Sequence, residues 1–183
     1  PAGSPVSSGT TSTADNQNNG DDNGSQSTPG GLVTSPVINL QVGAEPTTDG
    51  DGNANSDLTV DFGFYAPTSL GDLVFRDNNN DGLLNGADAG VSGVTVVLLQ
   101  NGTPVATNVT SGTGAYLFTN LPPAAGYQVQ VYPPANLPLN STLTPGGNNA
   151  DNGTQAAPGG VINGPVVTLA SGQRITAGLL IGC

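Results

Sequence analysis

Twenty-two residues near the start of this chain return near its end, and that repeat constrains the fold more than any other feature. Residues 22–43 read DNGSQSTPGGLVTSPVINLQVG, and residues 151–172 read DNGTQAAPGGVINGPVVTLASG. The offset is 129 without a gap, and eleven of the twenty-two positions are identical, among them Gln26, Pro29, Gly30, Pro36, Val37 and Leu40. Two Gly-rich loops share Gly and Asn by accident, but not a matched spacing of Pro, Val and Leu. Each copy thus marks the same part of a repeated unit. Each also runs on to a closing strand, expected at 58–65 after the first copy and at 175–179 after the second. A segment near 44–57 is extra in the first.

Residues between these landmarks alternate in the manner of half-buried strands. Leu58, Val60, Phe62 and Phe64 fall on one face of a strand, with Thr59, Asp61 and Gly63 on the other. Tyr127, Val129 and Val131 alternate with Gln128 and Gln130. Further strands are expected at 36–41, 70–76, 94–100, 104–109, 115–119 and 165–169, and Asn101-Gly102 is a two-residue hairpin signal. With 28 Gly and 15 Pro bounding such short runs, the pattern is that of an all-β sandwich. Seven or so strands between 68 and 183 suffice for one sandwich with its own core.

Charge and missing residue types exclude whole classes of function. Arg76 and Arg174 are the only cations in a chain of net charge −11, which argues against nucleic acid and against an anionic membrane surface. No apolar run approaches the ~18 residues that cross a bilayer, so no membrane insertion is expected. There is no His, Lys, Trp or Met. Ser-His and Cys-His pairs, Schiff bases and His-based zinc sites are therefore impossible. Only a two-carboxylate mechanism survives, and the acids sit in turns where nothing perturbs them, so a non-enzyme is expected. Cys183 stands alone, so no internal disulfide forms. Five Asn-x-Ser/Thr sequons, at Asn23, Asn101, Asn108, Asn140 and Asn152, indicate surface positions and nothing more.

What the acidic surplus suits is a metal cation. Asp77-Asn78-Asn79-Asn80-Asp81-Gly82-Leu83-Leu84-Asn85-Gly86-Ala87-Asp88 places oxygen-bearing side chains at positions 1, 3, 5, 9 and 12 of a twelve-residue loop, with Gly at position 6. That is the ligand spacing of an EF-hand calcium loop, in which position 7 contributes its backbone carbonyl. The expected ligands are Asp77, Asn79, Asp81, Leu83, Asn85 and Asp88. Asp88 is shorter than the customary Glu, and the flanks read as strands, so the expectation is a calcium loop joining two strands. A second candidate is Asp49, Asp51, Asn53 and Asp57, with an oxygen side chain at alternate positions; a flexible acidic turn has the same composition. Asp15, Gln17, Asn19, Asp21 and Asp22 make a weaker third.

These residues together resemble a known family. Ser69-Leu70-Gly71-Asp72-Leu73-Val74-Phe75-Arg76-Asp77, the loop, and Gly90-Val91-Ser92-Gly93-Val94-Thr95-Val96 resemble the opening of the calcium-binding B domains of serine-aspartate repeat adhesins. Gly114-Ala115-Tyr116-Leu117-Phe118-Thr119-Asn120-Leu121-Pro122 is similar to that group's central strand, and Asp61-Phe62-Gly63-Phe64-Tyr65 to its closing strand. The resemblance implies an Ig-like, transthyretin-related Greek-key sandwich, stiffened by Ca²⁺ and set in tandem on a bacterial surface. Related collagen-adhesin B-type domains carry a Lys–Asn isopeptide link, which a chain without Lys cannot form. In the second copy Gly178-Leu179 replaces Gly63-Phe64, a departure from the pattern.

The expected organisation is a Ser/Thr/Gly/Pro-rich linker or arm over 1–14, the C-terminal half of a B-type sandwich over 15–66, and a complete B-type sandwich over 67–183. A half-domain exposes apolar faces and strand edges, which soluble proteins avoid. Two functions follow. In one, the chain is a subunit of an extracellular filament, completed by strand docking between copies of the chain. In the other, it is a stalk module beside neighbouring domains of a tandem array. A carbohydrate-binding sandwich, which needs exposed aromatic platforms, fits less well.

Overall fold

Strands here are short because Gly, Pro and Asn interrupt every apolar run, and pairing partners decide how far each extends. The computed structural model describes residues 6–7, 24–141, 153–175 and 181–182. Among them all regular structure is β. The chain divides between Pro67 and Thr68 into two compact units.

The first unit contains β1 (Val6–Ser7), β2 (Ser25–Gln26), β3 (Val33–Thr34) and β4 (Phe64–Tyr65). β1 pairs antiparallel with β4, and β2 with β3. Three expectations are corrected here. Val6–Ser7, inside the presumed arm, is built into the unit, with Ser7 buried and its hydroxyl donating to the Gly24 carbonyl at 3.0 Å. Residues 36–41 are not a strand. Of 58–65 only the last two residues are strand, and the apolar face is the outer one: Leu58, Phe62 and Phe64 are exposed while Thr59 is buried.

The second unit is a sandwich of two sheets. β5 (Thr68–Arg76) is followed by β6 (Ala89–Gly90), β7 (Thr95–Gln100), β8 (Thr103–Val109), β9 (Ala115–Leu121) and β10 (Ala124–Tyr132). Then come β11 (Thr154–Gln155), β12 (Ile162–Leu169), β13 (Arg174–Ile175) and β14 (Ile181–Gly182). One sheet has the order β11-β12-β10-β7-β8. The other is organised on β5, which pairs antiparallel with β6 and β9 and parallel with β13 and β14. Asn101 and Gly102, at φ 50° and 81°, make the expected turn between β7 and β8; positive φ at both residues matches the strand twist. Pro104 lies on β8, the edge strand of its sheet, where its missing N–H breaks no interior ladder. Cys183 and residues 176–179 of the expected closing strand lie outside the described residues.

Alternation puts the core between the sheets. Leu70, Val74, Tyr116 and Phe118 from one sheet meet Val96, Leu98, Tyr127, Val129, Val131, Ile162 and Leu169 from the other. Tyr127 is buried, and its hydroxyl donates to the Pro122 carbonyl at 2.9 Å, which spares the core an unpaired polar atom. On the outer face, Gln128 donates to the Gly164 carbonyl and Gln130 to Asn163 Oδ1, tying β10 to β12. Of the eight Tyr and Phe, Phe62, Phe64 and Tyr132 are exposed, so the aromatics look inward less uniformly than the sequence suggests.

Candidate metal centre

The acidic loop closes a hairpin. β5 ends at Arg76 and β6 begins at Ala89, and these two residues are cross-strand partners. The twelve residues 77–88 therefore leave and re-enter the sheet at one point. Gly90 makes that closure possible: a Cβ there would stand 1.8 Å from the Thr113 carbonyl oxygen, so only hydrogen fits. Val74 holds both sides, its carbonyl accepting from Val91 N–H at 2.8 Å and its N–H donating to Gly114 at 2.9 Å.

Within the loop each acid has a separate task. Asp77 accepts from the N–H groups of Gly82 (2.8 Å) and Asp81 (3.3 Å), which folds the first turn over the carboxylate. Gly82, at φ 74°, takes a backbone conformation that L side chains rarely adopt. Asp81 Oδ1 accepts from Leu83 N–H at 2.9 Å, and Asp81 Oδ2 accepts from the amides of Asn79 at 2.7 Å and Asn85 at 2.9 Å. Asp88 accepts from Asn78 N–H at 2.8 Å and Asn85 N–H at 3.0 Å. Donation by the Asn85 amide, then by Leu83 N–H, holds the Asp81 carboxyl below its ordinary pKa.

Positions 3, 5 and 9 thus meet at Asp81, while Asp77 and Asp88 grip the backbone at either end. Leu83, at position 7, is tied in through its N–H. Among the described residues no three carboxylates gather as a metal cluster. One carboxylate and two amides gather at Asp81, with both amide nitrogens turned toward the carboxylate; their oxygens are ligands of the kind a hard cation takes. Sequence reasoning passed over Asn78 as a spacer, yet its side chain donates to the Ala87 carbonyl at 2.7 Å and its N–H to Asp88. An Asn at position 2 facing an Asp at position 12 was the available signal.

The second candidate set behaves differently. Asp51 accepts from Asn53 N–H at 2.8 Å and from the Ser56 hydroxyl, Asn53 accepts from Asn55 N–H at 3.1 Å, and Asp57 accepts from Thr59 N–H at 2.9 Å. These are local turns in which a side chain caps the backbone two residues on. The Ser56 hydroxyl, then the Asn53 N–H, lowers the pKa of Asp51, and the Asp49 carboxyl adjoins it. Asp49 Oδ2 accepts from Leu58 N–H at 2.8 Å, and its Oδ1 is buried without a hydrogen-bond partner among the described residues. Only Asp49 and Asp51 come together. The third candidate, 15–22, lies outside the described residues.

Fold and loop together define an all-β sandwich module carrying an acidic loop on its opening hairpin. Residues 68–178 match the SdrD B-like domain family. The chain belongs to that family. It is 36% identical over 114 residues to serine-aspartate repeat-containing protein D of Staphylococcus aureus (strain Newman), covering 61% of this chain and 8% of that protein. It is 38% identical over 97 residues to serine-aspartate repeat-containing protein I of Staphylococcus saprophyticus, covering 46% and 5%. It is also 38% identical over 89 residues to a fibrinogen-binding protein of Staphylococcus epidermidis, covering 43% and 8%. The chain spans less than a tenth of the length of each of these relatives. Membership of this family of surface-adhesin domains makes the chain a non-enzymatic module of the cell surface, outside the cell.

Proposed function

We propose that this chain is a calcium-clamped spacer in a surface adhesin, standing in a row of similar domains. The observation that carries the proposal is the convergence of Asn79 and Asn85 on Asp81 in a loop whose ends are the cross-strand partners Arg76 and Ala89. An amide donates through nitrogen and accepts through oxygen. With both amides turned over, Asn79, Asp81 and Asn85 present three oxygens to one point without any backbone movement. Bound Ca²⁺ supplies a charge that draws those oxygens together. Asp77 and Asp88 then hold the two ends of the loop, so the hairpin stiffens as a unit. Asp49 and Asp51 are proposed as a second, weaker cation site on the same chemistry.

The test is thermal unfolding in millimolar Ca²⁺ and in chelator. For a site of ~10 μM affinity at ~1 mM Ca²⁺, linkage adds about 2.7 kcal/mol. Identical transitions in the two buffers would sink the proposal.

A second reading, the filament, draws on the exposed apolar residues of the first unit, Leu32, Val37, Leu40 and Val42 among them. Docking between chains would bury them. On this reading each chain carries one first half of a sandwich, 68–141, and two second halves. Because β12, β13 and β14 already pair with that first half, chaining requires them to be displaced, which weighs toward the spacer. Electron microscopy in Ca²⁺ separates the two: ordered fibres support docking between copies, and dispersed particles support the spacer.

A further inference from the structure

The repeat noticed in the sequence is a repeat in three dimensions, and it shows where the described residues of the two units differ. Ser25 pairs with Thr34 and Gln26 with Val33; 129 residues on, Thr154 pairs with Asn163 and Gln155 with Ile162. Gln26 Nε2 donates to the Gly31 carbonyl at 3.0 Å, and Gln155 Nε2 to the Gly160 carbonyl at 2.9 Å. Gly30 and Gly159 share φ 75°. The turn beyond is also shared, Ala44 N–H donating to Gln41 and Gln173 N–H to Ala170.

A residue contacting each hairpin from outside the repeat is matched as well. Gln155 Oε1 accepts from Asn140 N–H at 3.0 Å, and the Asn140 side chain donates to the Gly153 carbonyl. Gln26 Oε1 accepts from Ser7 N–H at 3.0 Å, and the Ser7 hydroxyl donates to the Gly24 carbonyl. Ser7 therefore stands where Asn140 stands, although the two lie outside the repeated 22 residues.

The copies part where β10 enters. In the second unit Ile162 and Leu169 are buried, Leu169 to 1% exposure, because β12 pairs with β10 over Ala124–Leu169, Tyr127–Val167, Gln128–Val166 and Val131–Ile162. In the first unit Leu40, the counterpart of Leu169, is 68% exposed, and Ile38, the counterpart of the partly buried Val167, is exposed. Val37 and Val166 are both exposed, so at that outward position the two copies agree.

We infer that residues 33–40 form a docking edge for the first half of a B-type sandwich, led by a strand of β10 character with Tyr and Val inward and Gln outward. The expected register sets Leu40 against the position of Ala124, Ile38 against that of Tyr127, and Val33 against that of Val131. This rests on the spacer reading, since it takes the second unit as the finished form of the first.

The test adds a further copy of residues 68–141 ahead of residue 1 of the full chain and follows amide hydrogen exchange. In the chain as it is, the amides of Val37, Ile38 and Leu40 should exchange at least about 100-fold faster than those of Val166, Val167 and Leu169; in the fusion they should slow by a similar factor. Leu40→Asp in the fusion should restore fast exchange at Val37, Ile38 and residue 40 and leave 162–169 protected. Fast exchange at Val37, Ile38 and Leu40 in the fusion, beside a protected 162–169, overturns the docking edge alone. Fast exchange at 162–169 overturns the sandwich reading and the docking edge with it.

Discussion

Asp88, the last residue of the acidic loop, accepts a hydrogen bond from the backbone N–H of Asn78, the second residue, at 2.8 Å. One carboxylate thereby joins the two ends of the loop, and its other oxygen holds Asn85. Asp88→Ala removes both bonds and leaves two N–H groups to water. We expect a loss of about 1 kcal/mol without calcium, and on the calcium-clamp proposal a loss of most of the calcium-dependent rise in Tm. Paired melts with and without chelator measure both effects; a variant that keeps the full rise would show that Asp88 does not hold the loop.

Gly90→Ala tests the closure of the same hairpin from the sheet side. The added methyl meets the Thr113 carbonyl and the backbone of Gly114, neither of which can rotate away. A destabilisation of about 3 kcal/mol or more is expected by urea unfolding. Gly112→Ala, where nothing lies within 4 Å, is the control and should cost little.

Tyr127→Phe keeps the ring in the core and removes the hydroxyl. The Pro122 carbonyl loses its 2.9 Å partner. The expected cost is about 1–1.5 kcal/mol, visible as a lower urea midpoint with an unchanged slope. A neutral result would mean that water reaches that carbonyl.

Tyr116 sets an alkaline limit. Burial, and then the charge of Asp72, push its pKa above the ordinary 10. Its folded pKa is raised, so the stability it contributes is fully present below about pH 10 and is lost as pH climbs beyond that value. Stability should fall above about pH 10, and absorbance should show Tyr116 ionising together with unfolding. Tyr116→Phe should flatten that fall.

Asp81 sets the acid limit of the loop. Its folded pKa is lowered, chiefly by the Asn85 amide, so its contribution is present above the unfolded value and disappears as pH falls through the folded one. Amide exchange at Leu83 should accelerate below about pH 4, after correction for intrinsic rates, before the core strands respond. Simultaneous loss of both would show that the loop has no separate acid transition.

Much of the loop was legible because its contacts are local. Asp77 to Gly82, Asp81 to Leu83 and Asn79 to Asp81 each span five residues or fewer, so the order of side chains dictates the turns. The role of Gly90 was not legible, because its reason lies at Thr113, on the approach to β9. Asp49 illustrates a further limit. Spacing grouped it with Asp51, Asn53 and Asp57, but Asn53 and Asp57 cap neighbouring amides, since an N–H two residues away is closer than any shared centre.

The two copies of the hairpin separate local from tertiary control within one chain. Gln26 and Gln155, with Gly30 and Gly159, build the same turn in the same register, because side chain and backbone satisfy each other within a few residues. Sequence alone determined that much, together with the inward face of β10 and the acidic loop. Beyond the turn, similar residues end differently: Ile162–Leu169 is an eight-residue strand, and its counterpart stops after Val33–Thr34. A strand's N–H and C=O groups need a partner that the strand itself cannot provide. β10 offers it to one copy, so tertiary structure alone decided that Leu169 is buried and Leu40 is not.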